Sequence, residues 1–252
     1  RLVDQVGQVG TGQRKDSFDL DPIVGKEMSN RLWDLAEDAK TLIRERIAAY
    51  GIECEIKPGH LGVAWKNKEL RWMEGYAEAI AARHGYPHMR FVPKSEIRRH
   101  VDSPVYHGGI LDMGTYHLHP LNYCLGLARG AVAEGAVLHE GSPVTSIEKT
   151  ATGHRVATAD GSVTADHVVV ACNGYLGHPD TGDMLGLPGA IAPKIMPINN
   201  YIAATRPLSE TEWRALIPND VCVSDTKFVI DYYRLSADRR LLFGGGESYS
   251  PR

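Results

Sequence analysis

The chain has 252 residues, enough to bury a sizeable core as one large domain or two small ones. Its 43% hydrophobic and 23% charged residues are ordinary for a soluble globular protein, and a formal net charge of -3 leaves no basic footprint for nucleic acid or an anionic membrane. No apolar run approaches the roughly 20 residues of a membrane span, the N-terminus has no signal-peptide apolar stretch, and Cys54, Cys124, Cys172 and Cys222 form no C-x-x-C pair, so reduced buried thiols and a cytoplasmic location are expected.

Residues 1–21 are polar and punctuated by Gly7, Gly10 and Gly12 without a helical period, which reads as a flexible loop or short strand. The G-x-x-G-x-G spacing differs from the dinucleotide G-x-G-x-x-G, and no helix pattern follows it directly. From Pro22 to Tyr50, Met28, Leu32, Leu35, Ala39, Leu42, Ile43 and Ile47 recur at three- and four-residue spacing and predict one helix ending at Gly51. Ile52, Cys54 and Ile56 alternate as a half-buried strand that turns at Pro58-Gly59 into a second strand near Leu61–Trp65. A helix capped by Asn67 then runs to Gly85, followed by an extended Phe91–Pro93, a short helix through His100, and a strand from Val105 to Met113.

The stretch from Leu111 to Tyr175 organises the chain. A Gly- and His-rich turn opens a helix over Leu121–Glu134, and a strand at Ala136–His139 precedes three more joined by Gly-containing turns. The last of these, Asp166–Cys172, contains Val168-Val169-Val170, the pattern of a strand buried on both faces, and empties into Asn173-Gly174. Small residues at a strand's carboxyl end let backbone approach a ligand closely. Lys194–Thr205 reads as a strand at an edge or bulge because of Pro197. Ser209-x-x-Glu212 is a capping box opening a short helix, and Val221–Ser224, Phe228–Leu235 and Arg240–Phe243 read as strands, the last two a hairpin. The order of elements is mixed and not regularly alternating, so the fold class is α+β, with an antiparallel sheet from 52–65 and 194–243 and a second sheet from 136–172.

Several residues could carry chemistry. His117-x-His119 on an extended segment could share a face and bind zinc in a metal-dependent hydrolase, yet neither H-E-x-x-H nor a second His cluster supplies further ligands; equally, the imidazoles could hydrogen-bond the turn before Pro120. Tyr232 and Arg234 fall on one face of a strand and Tyr233 on the other, so Arg234 could hold a carboxylate bidentately or lie exposed at an edge. Val144 reads as a core β-branched residue. Gly244-Gly245-Gly246 would permit close passage of a ring system or form a flexible turn, and Asp225 and Asp231 could be acidic partners for a cationic polyamine.

Four segments, GQVGTGQR at Gly7–Arg14, HLHPLNY at His117–Tyr123, VVVACNGYLG at Val168–Gly177 and YYRLSADRRLLFGGG at Tyr232–Gly246, together resemble the FAD-dependent amine and amino-acid oxidoreductases of the D-amino-acid-oxidase superfamily, most of all the gamma-glutamylputrescine oxidoreductase group. The resemblance implies a partial FAD-binding domain (residues 1–50 and 110–180) interleaved with an antiparallel-sheet substrate-binding domain (51–109 and 181–252). It implies FAD as cofactor, a small-molecule amine as substrate, and hydride transfer from the substrate to flavin N5 followed by imine hydrolysis. It also implies cofactor contacts at Gly7, Gln8, Val9, Val144, Ala171, Cys172, Asn173, Gly174 and Gly245. Substrate contacts would fall at His117, Tyr232 and Arg234, with His119 or Tyr116 keeping the amine neutral. Thr115-Tyr116-His117 departs from the family's Gly-Gly-His and puts a phenol near the proposed pocket. The family's opening strand, G-x-G-x-x-G and helix have no counterpart before Gly7, so the sequence reads as an internal portion of a protein of about 430 residues. A non-catalytic binding or structural module of the same fold is the alternative.

Overall fold

In a computed structural model, residues 7–173 and 198–248 are described. In chain order they form β1 (Gln8–Val9), α1 (Ser17–Val24), α2 (Lys26–Ala49), β2 (Lys57–Val63), α3 (Leu70–His84), β3 (Met89–Val92), α4 (Lys94–Ile97), β4 (Gly109–His117), α5 (Pro120–Ala133), β5 (Val144–Lys149), β6 (His154–Thr158), β7 (Ser162–Ala165), β8 (Asn199–Ala204), α6 (Glu210–Leu216), β9 (Cys222–Asp225), β10 (Tyr232–Leu235) and β11 (Leu241–Ser248). The mixed α+β class is as expected.

An eight-stranded sheet runs β1-β4-β2-β9-β10-β11-β8, and β3 pairs with β4 on the same edge as β1. The β1–β4, β2–β4, β3–β4, β9–β10 and β10–β11 pairs are antiparallel, whereas β2 runs parallel to β9, with His60 opposite Cys222 and Leu61 opposite Val223. One face of this sheet carries Leu61, Val63, Leu111, Val223, Tyr233 and Leu235 into a core closed by Ile97 of α4 and by Trp213 and Leu216 of α6. At the other end of β4, Tyr116 and Leu118 pack with Ile43 and Ile47 of α2 and Leu127 of α5. Helix α3 adds Met73 against Ala64 and Ile110.

The local signals explain most boundaries. Helix α5 begins with Pro120 at its first turn, where the missing N–H costs nothing. Helix α3 stops at Gly85 in the left-handed conformation, φ 62°. Ser209 and Glu212 form the reciprocal capping box of α6. The hairpin β10–β11 closes with Leu235 opposite Leu241.

Other expectations are corrected. Within residues 7–12 the short-strand alternative applies at Gln8–Val9: β1 pairs with β4, and Leu118 N–H donates to Gly7 O at 2.8 Å. The helix expected over Pro22–Tyr50 is two helices broken at Gly25, φ 81°. The 52–56 alternation forms no strand, and Pro58-Gly59 lies inside β2 as a bulge. Neither Ala136–His139 nor Val168–Val170 is a strand, and Val169 is 87% exposed. A strand buried on both faces needs neighbours on both edges, and among the described residues no strand pairs with that run.

Two compact units emerge: one holds the residues up to Gly135 and Asn200–Glu247, the other Ala136–Asn199 and the C-terminal residues from Ser248. The second unit contains the antiparallel sheet β5-β6-β7, with Ile147 opposite Val156 and Val156 opposite Val163. This division differs from the expected one at 1–50 and 110–135, because β4 is the direct neighbour of β1, β2 and β3 and binds those segments into one sheet with 57–63.

Candidate functional site

Side-chain alternation sorts the centre of the large sheet into two faces. Leu61, Val223 and Tyr233 lie in the core. The intervening residues, His60 of β2, Cys222 and Ser224 of β9, and Tyr232 and Arg234 of β10, belong to the opposite face. Gly244 of β11 is opposite Tyr232, and a Cβ there would run into the Tyr232 ring, so the ring lies flat across the glycine backbone. The Tyr232 hydroxyl donates to Asn200 Oδ1 at 2.5 Å, and burial raises its pKa above the ordinary phenol value.

Arg234 is buried, 2% exposed, and its Nη1 donates to Leu235 O at 3.1 Å. Burial lowers the guanidinium's pKa, with Glu55 the largest opposing influence. Its charge reaches the two neighbours that matter most. At Cys222, burial pushes the thiol up to about 12 while Arg234 works against it. At His117, burial drives the imidazole down to about 4, the Asp220 carbonyl opposes this, and Arg234 reinforces it. His117 Nε2–H donates to Asp220 O at 2.9 Å, while Nδ1 is buried without a partner. Asp220 in turn takes Lys57 Nζ at 2.7 Å and Arg239 Nη1 at 2.6 Å on its Oδ2.

The glycine-rich segment is tied to this region. Gln8 Nε2 donates to Val223 O at 3.3 Å, across the chain from its own strand partner His117. Gly7 has φ 74°, and a Cβ on it would collide with Leu118 O, so the chain passes there only as glycine. Thr11 accepts from the buried Lys40 Nζ at 2.6 Å. Lys40 also donates to Tyr86 OH at 3.2 Å and to Gly114 O at 3.3 Å, and pairs with Glu37 at 2.8 Å. Tyr86 donates to Asp112 Oδ1 at 2.8 Å. A buried lysine is tolerable only when paired and hydrogen-bonded, and here every partner holds a piece of the candidate site's frame.

Two expected roles do not survive this geometry. Tyr116 is 1% exposed and donates its hydroxyl to Lys40 O at 2.7 Å, beneath the Arg44 guanidinium at 4.7 Å, with burial raising its pKa to about 12. It is a core phenol, out of place as a base. His119 caps α5, its Nδ1 accepting from Asn122 N–H at 3.2 Å, which is the turn-bonding role for that imidazole. No three metal-ligating side chains gather among the described residues. Asp225 and Asp231 are also spoken for: Asp225 Oδ1 accepts from Lys227 N and Asp231 N, both at 3.1 Å, and the Asp231 carboxylate pairs with Lys227 Nζ. Asp225 shares the core face through its register with Val63.

The remaining residues expected to contact the cofactor divide between the units. Val9 packs with Tyr116, and Gly245 lies against Asp231 Oδ1 in the first. In the second, Val144 is half-buried opposite Thr158, while Ala171, Cys172 and Asn173 are exposed, with Asn173 at φ 51°. Gly174 lies outside the described residues. At Gly10 an added Cβ would meet nothing within 4 Å, so the segment offers bare backbone amides. His60 and Ser224, joined at 2.8 Å between Nε2 and Oγ, were not singled out from the sequence, because one His in a P-G-H-L strand carries no spacing signal.

Comparison with known proteins agrees with this picture. The family model described as FAD dependent oxidoreductase (DAO) matches residues 7–252. The chain is 38% identical over 244 residues to a probable oxidoreductase OrdL of Rhizobium meliloti (strain 1021), covering 97% of this chain and 55% of that protein. It is 37% identical over 246 residues to the gamma-glutamylputrescine oxidoreductase of Escherichia coli (strain K12), covering 98% and 56%. The chain thus spans about half the length of the curated relatives it matches. In structure it is similar to glycine oxidase from Geobacillus kaustophilus, with a TM-score of 0.67 at 18% identity over 98% of this chain and 61% of that one. L-proline dehydrogenase from P. horikoshii matches with a TM-score of 0.63 at 18% identity over 86% and 57%.

Proposed function

Because this chain belongs to the family of FAD dependent oxidoreductases, we propose that the protein oxidises a C–N bond of an amine or amino acid that carries a carboxylate. The substrate class is that of gamma-glutamylputrescine, the name borne by one relative. The observation that supports this most directly is Arg234, a cation 2% exposed on the sheet face opposite the core, beside Tyr232.

When bound, FAD supplies the two-electron acceptor that takes hydride from the carbon beside nitrogen, leaving an imine that water hydrolyses to a carbonyl compound. The chain's own part is recognition and exclusion of water. The Arg234 guanidinium would meet the substrate carboxylate from a buried position, where the low dielectric strengthens such a pairing. Tyr232, pinned on Gly244, forms an apolar wall whose hydroxyl is already engaged by Asn200. Gln8 and its neighbours would give backbone contacts to the cofactor. His117, neutral by burial, fixes the end of β4 to Asp220 and contributes no base. The substrate-binding role falls to the large sheet. A cytoplasmic location is in keeping with free thiols at Cys54, Cys124, Cys172 and Cys222, and no helix among the described residues is long and apolar enough to cross a membrane.

The test is steady-state oxidation by the FAD-loaded protein of gamma-glutamylputrescine beside putrescine, in wild type and Arg234→Ala. The proposal expects the variant to lose the preference for the carboxylate-bearing amine, by tenfold or more in kcat/KM, with putrescine little changed. Equal losses on both amines would remove Arg234 from recognition.

A further inference from the structure

Resting on that reading, we propose that His60, held by Ser224, is the residue on the sheet face that accepts a hydrogen bond from the substrate's amine and places its nitrogen. His60 belongs to the face of Arg234 and Tyr232: it is opposite Cys222 in the parallel pair with β9, while its neighbour Leu61 enters the core. Its Nε2 lies 2.8 Å from Ser224 Oγ. With that nitrogen carrying the proton, the Ser224 hydroxyl accepts and Nδ1 keeps a lone pair, and no other hydrogen bond to His60 exists among the described residues. The next residue of that parity on β2 is Gly62, which puts no side chain beside the ring; a Cβ there would lie 3.7 Å from the imidazole Cε1.

The charges around His60 favour this use. From β4, Asp112 pairs with it in register and draws its pKa up. Asp112 itself takes the Tyr86 hydroxyl and the Gly114 amide on Oδ1, and Tyr86 meets Lys40. From β9 come Ser224 and the protonated Cys222, and from β10 Arg234, which acts on Cys222. Burial outweighs Asp112, so His60 sits below its ordinary value and is neutral near pH 7. A neutral imidazole accepts from an ammonium or amine N–H. Arg234 and His60 then stand as a carboxylate site and an amine site on adjacent parts of one sheet face.

The test compares wild type, His60→Leu, His60→Asn and Ser224→Ala in the FAD-loaded protein, with gamma-glutamylputrescine as substrate and FAD affinity measured in parallel. His60→Leu is expected to raise KM at least tenfold with FAD affinity unchanged. It should also abolish the acidic limb of kcat/KM that wild type shows as His60 protonates below its ordinary value. His60→Asn, whose amide oxygen restores an acceptor at the Nδ1 position, should recover part of the KM and none of the limb, and Ser224→Ala should fall between wild type and His60→Leu. Independently of turnover, 2-aminoisobutyrate, which has no hydrogen on the carbon beside nitrogen, should shift the His60 imidazole resonances, and acetate should not. Wild-type KM and an intact limb in His60→Leu would overturn the His60 assignment alone. Absence of turnover in wild type with this and every other amine offered would overturn the proposed function, and this assignment with it.

Discussion

Replacing His117 by glutamine should flatten the chain's stability in mild acid. The wild-type imidazole is fully buried; its Nε2 is 2.9 Å from Asp220 O, and its Nδ1 faces no acceptor. Protonation would put a charge and an unsatisfied N–H inside the protein, which is why burial holds the group down at about 4 against an ordinary 6.5. The unfolded chain therefore binds the proton first. His117 leaves stability intact above the unfolded value, and stability falls as pH drops from 6.5 towards 4. At about 1.4 kcal/mol per unit the full loss is about 3 kcal/mol, most of it gone by about pH 4.5. Glutamine keeps an Nε2–H for Asp220 O and cannot titrate. Urea unfolding of both proteins at neutral pH and at about pH 4.5 should show wild type losing about 2–3 kcal/mol more than His117→Gln over that interval. Equal losses would refute the reasoning, since they would mean His117 titrates at an ordinary pKa in the folded chain.

Tyr116→Phe removes a buried hydroxyl from Lys40 O and should cost about 1–2 kcal/mol in the same unfolding assay, while leaving the pH profile of amine oxidation unmoved; a profile that changes would return Tyr116 to the chemistry. Gly126→Ala should destabilise by about 1–3 kcal/mol despite alanine's better helix propensity, because a Cβ in α5 would collide with the Ile52 side chain. Gly75→Ala in α3, where a Cβ meets nothing within 4 Å, should instead stabilise by roughly 0.5–1 kcal/mol, and thermal midpoints moving the same way for both glycines would contradict the packing.

Elements fixed by their own termini were legible in the sequence. Pro120 opens α5, Gly85 closes α3, Ser209 and Glu212 cap α6, and Ser236–Arg239 turns the β10–β11 hairpin, each through backbone chemistry within a few residues. Features that depend on distant neighbours were not. Val168–Val170 has the composition of a doubly buried strand, but burial belongs to the strands beside it, and none among the described residues pairs there. In α2 the apolar period suggested Met28, Leu35 and Leu42 as the inner face. The structure exposes all three and buries Ser29, Trp33 and Lys40, since Thr11, Tyr86 and Gly114 O satisfy the lysine. At the candidate site, strand alternation placed Tyr232 and Arg234 together, as found. For His119 the turn-bonding alternative is the one found, at Asn122 N–H, while the Tyr116 partner, Lys40 O, is set by packing that no sequence spacing shows. His60 went unnoticed for the converse reason: its significance lies in β9 and β4, on either side of it.

The most direct measurement is anaerobic mixing of the FAD-loaded protein with gamma-glutamylputrescine, following the flavin's visible absorbance and the carbonyl product. The account predicts saturable bleaching with one carbonyl formed per flavin reduced, slowed at low substrate by Arg234→Ala. A flavin that binds, yet stays oxidised with this and every other amine offered, would contradict it.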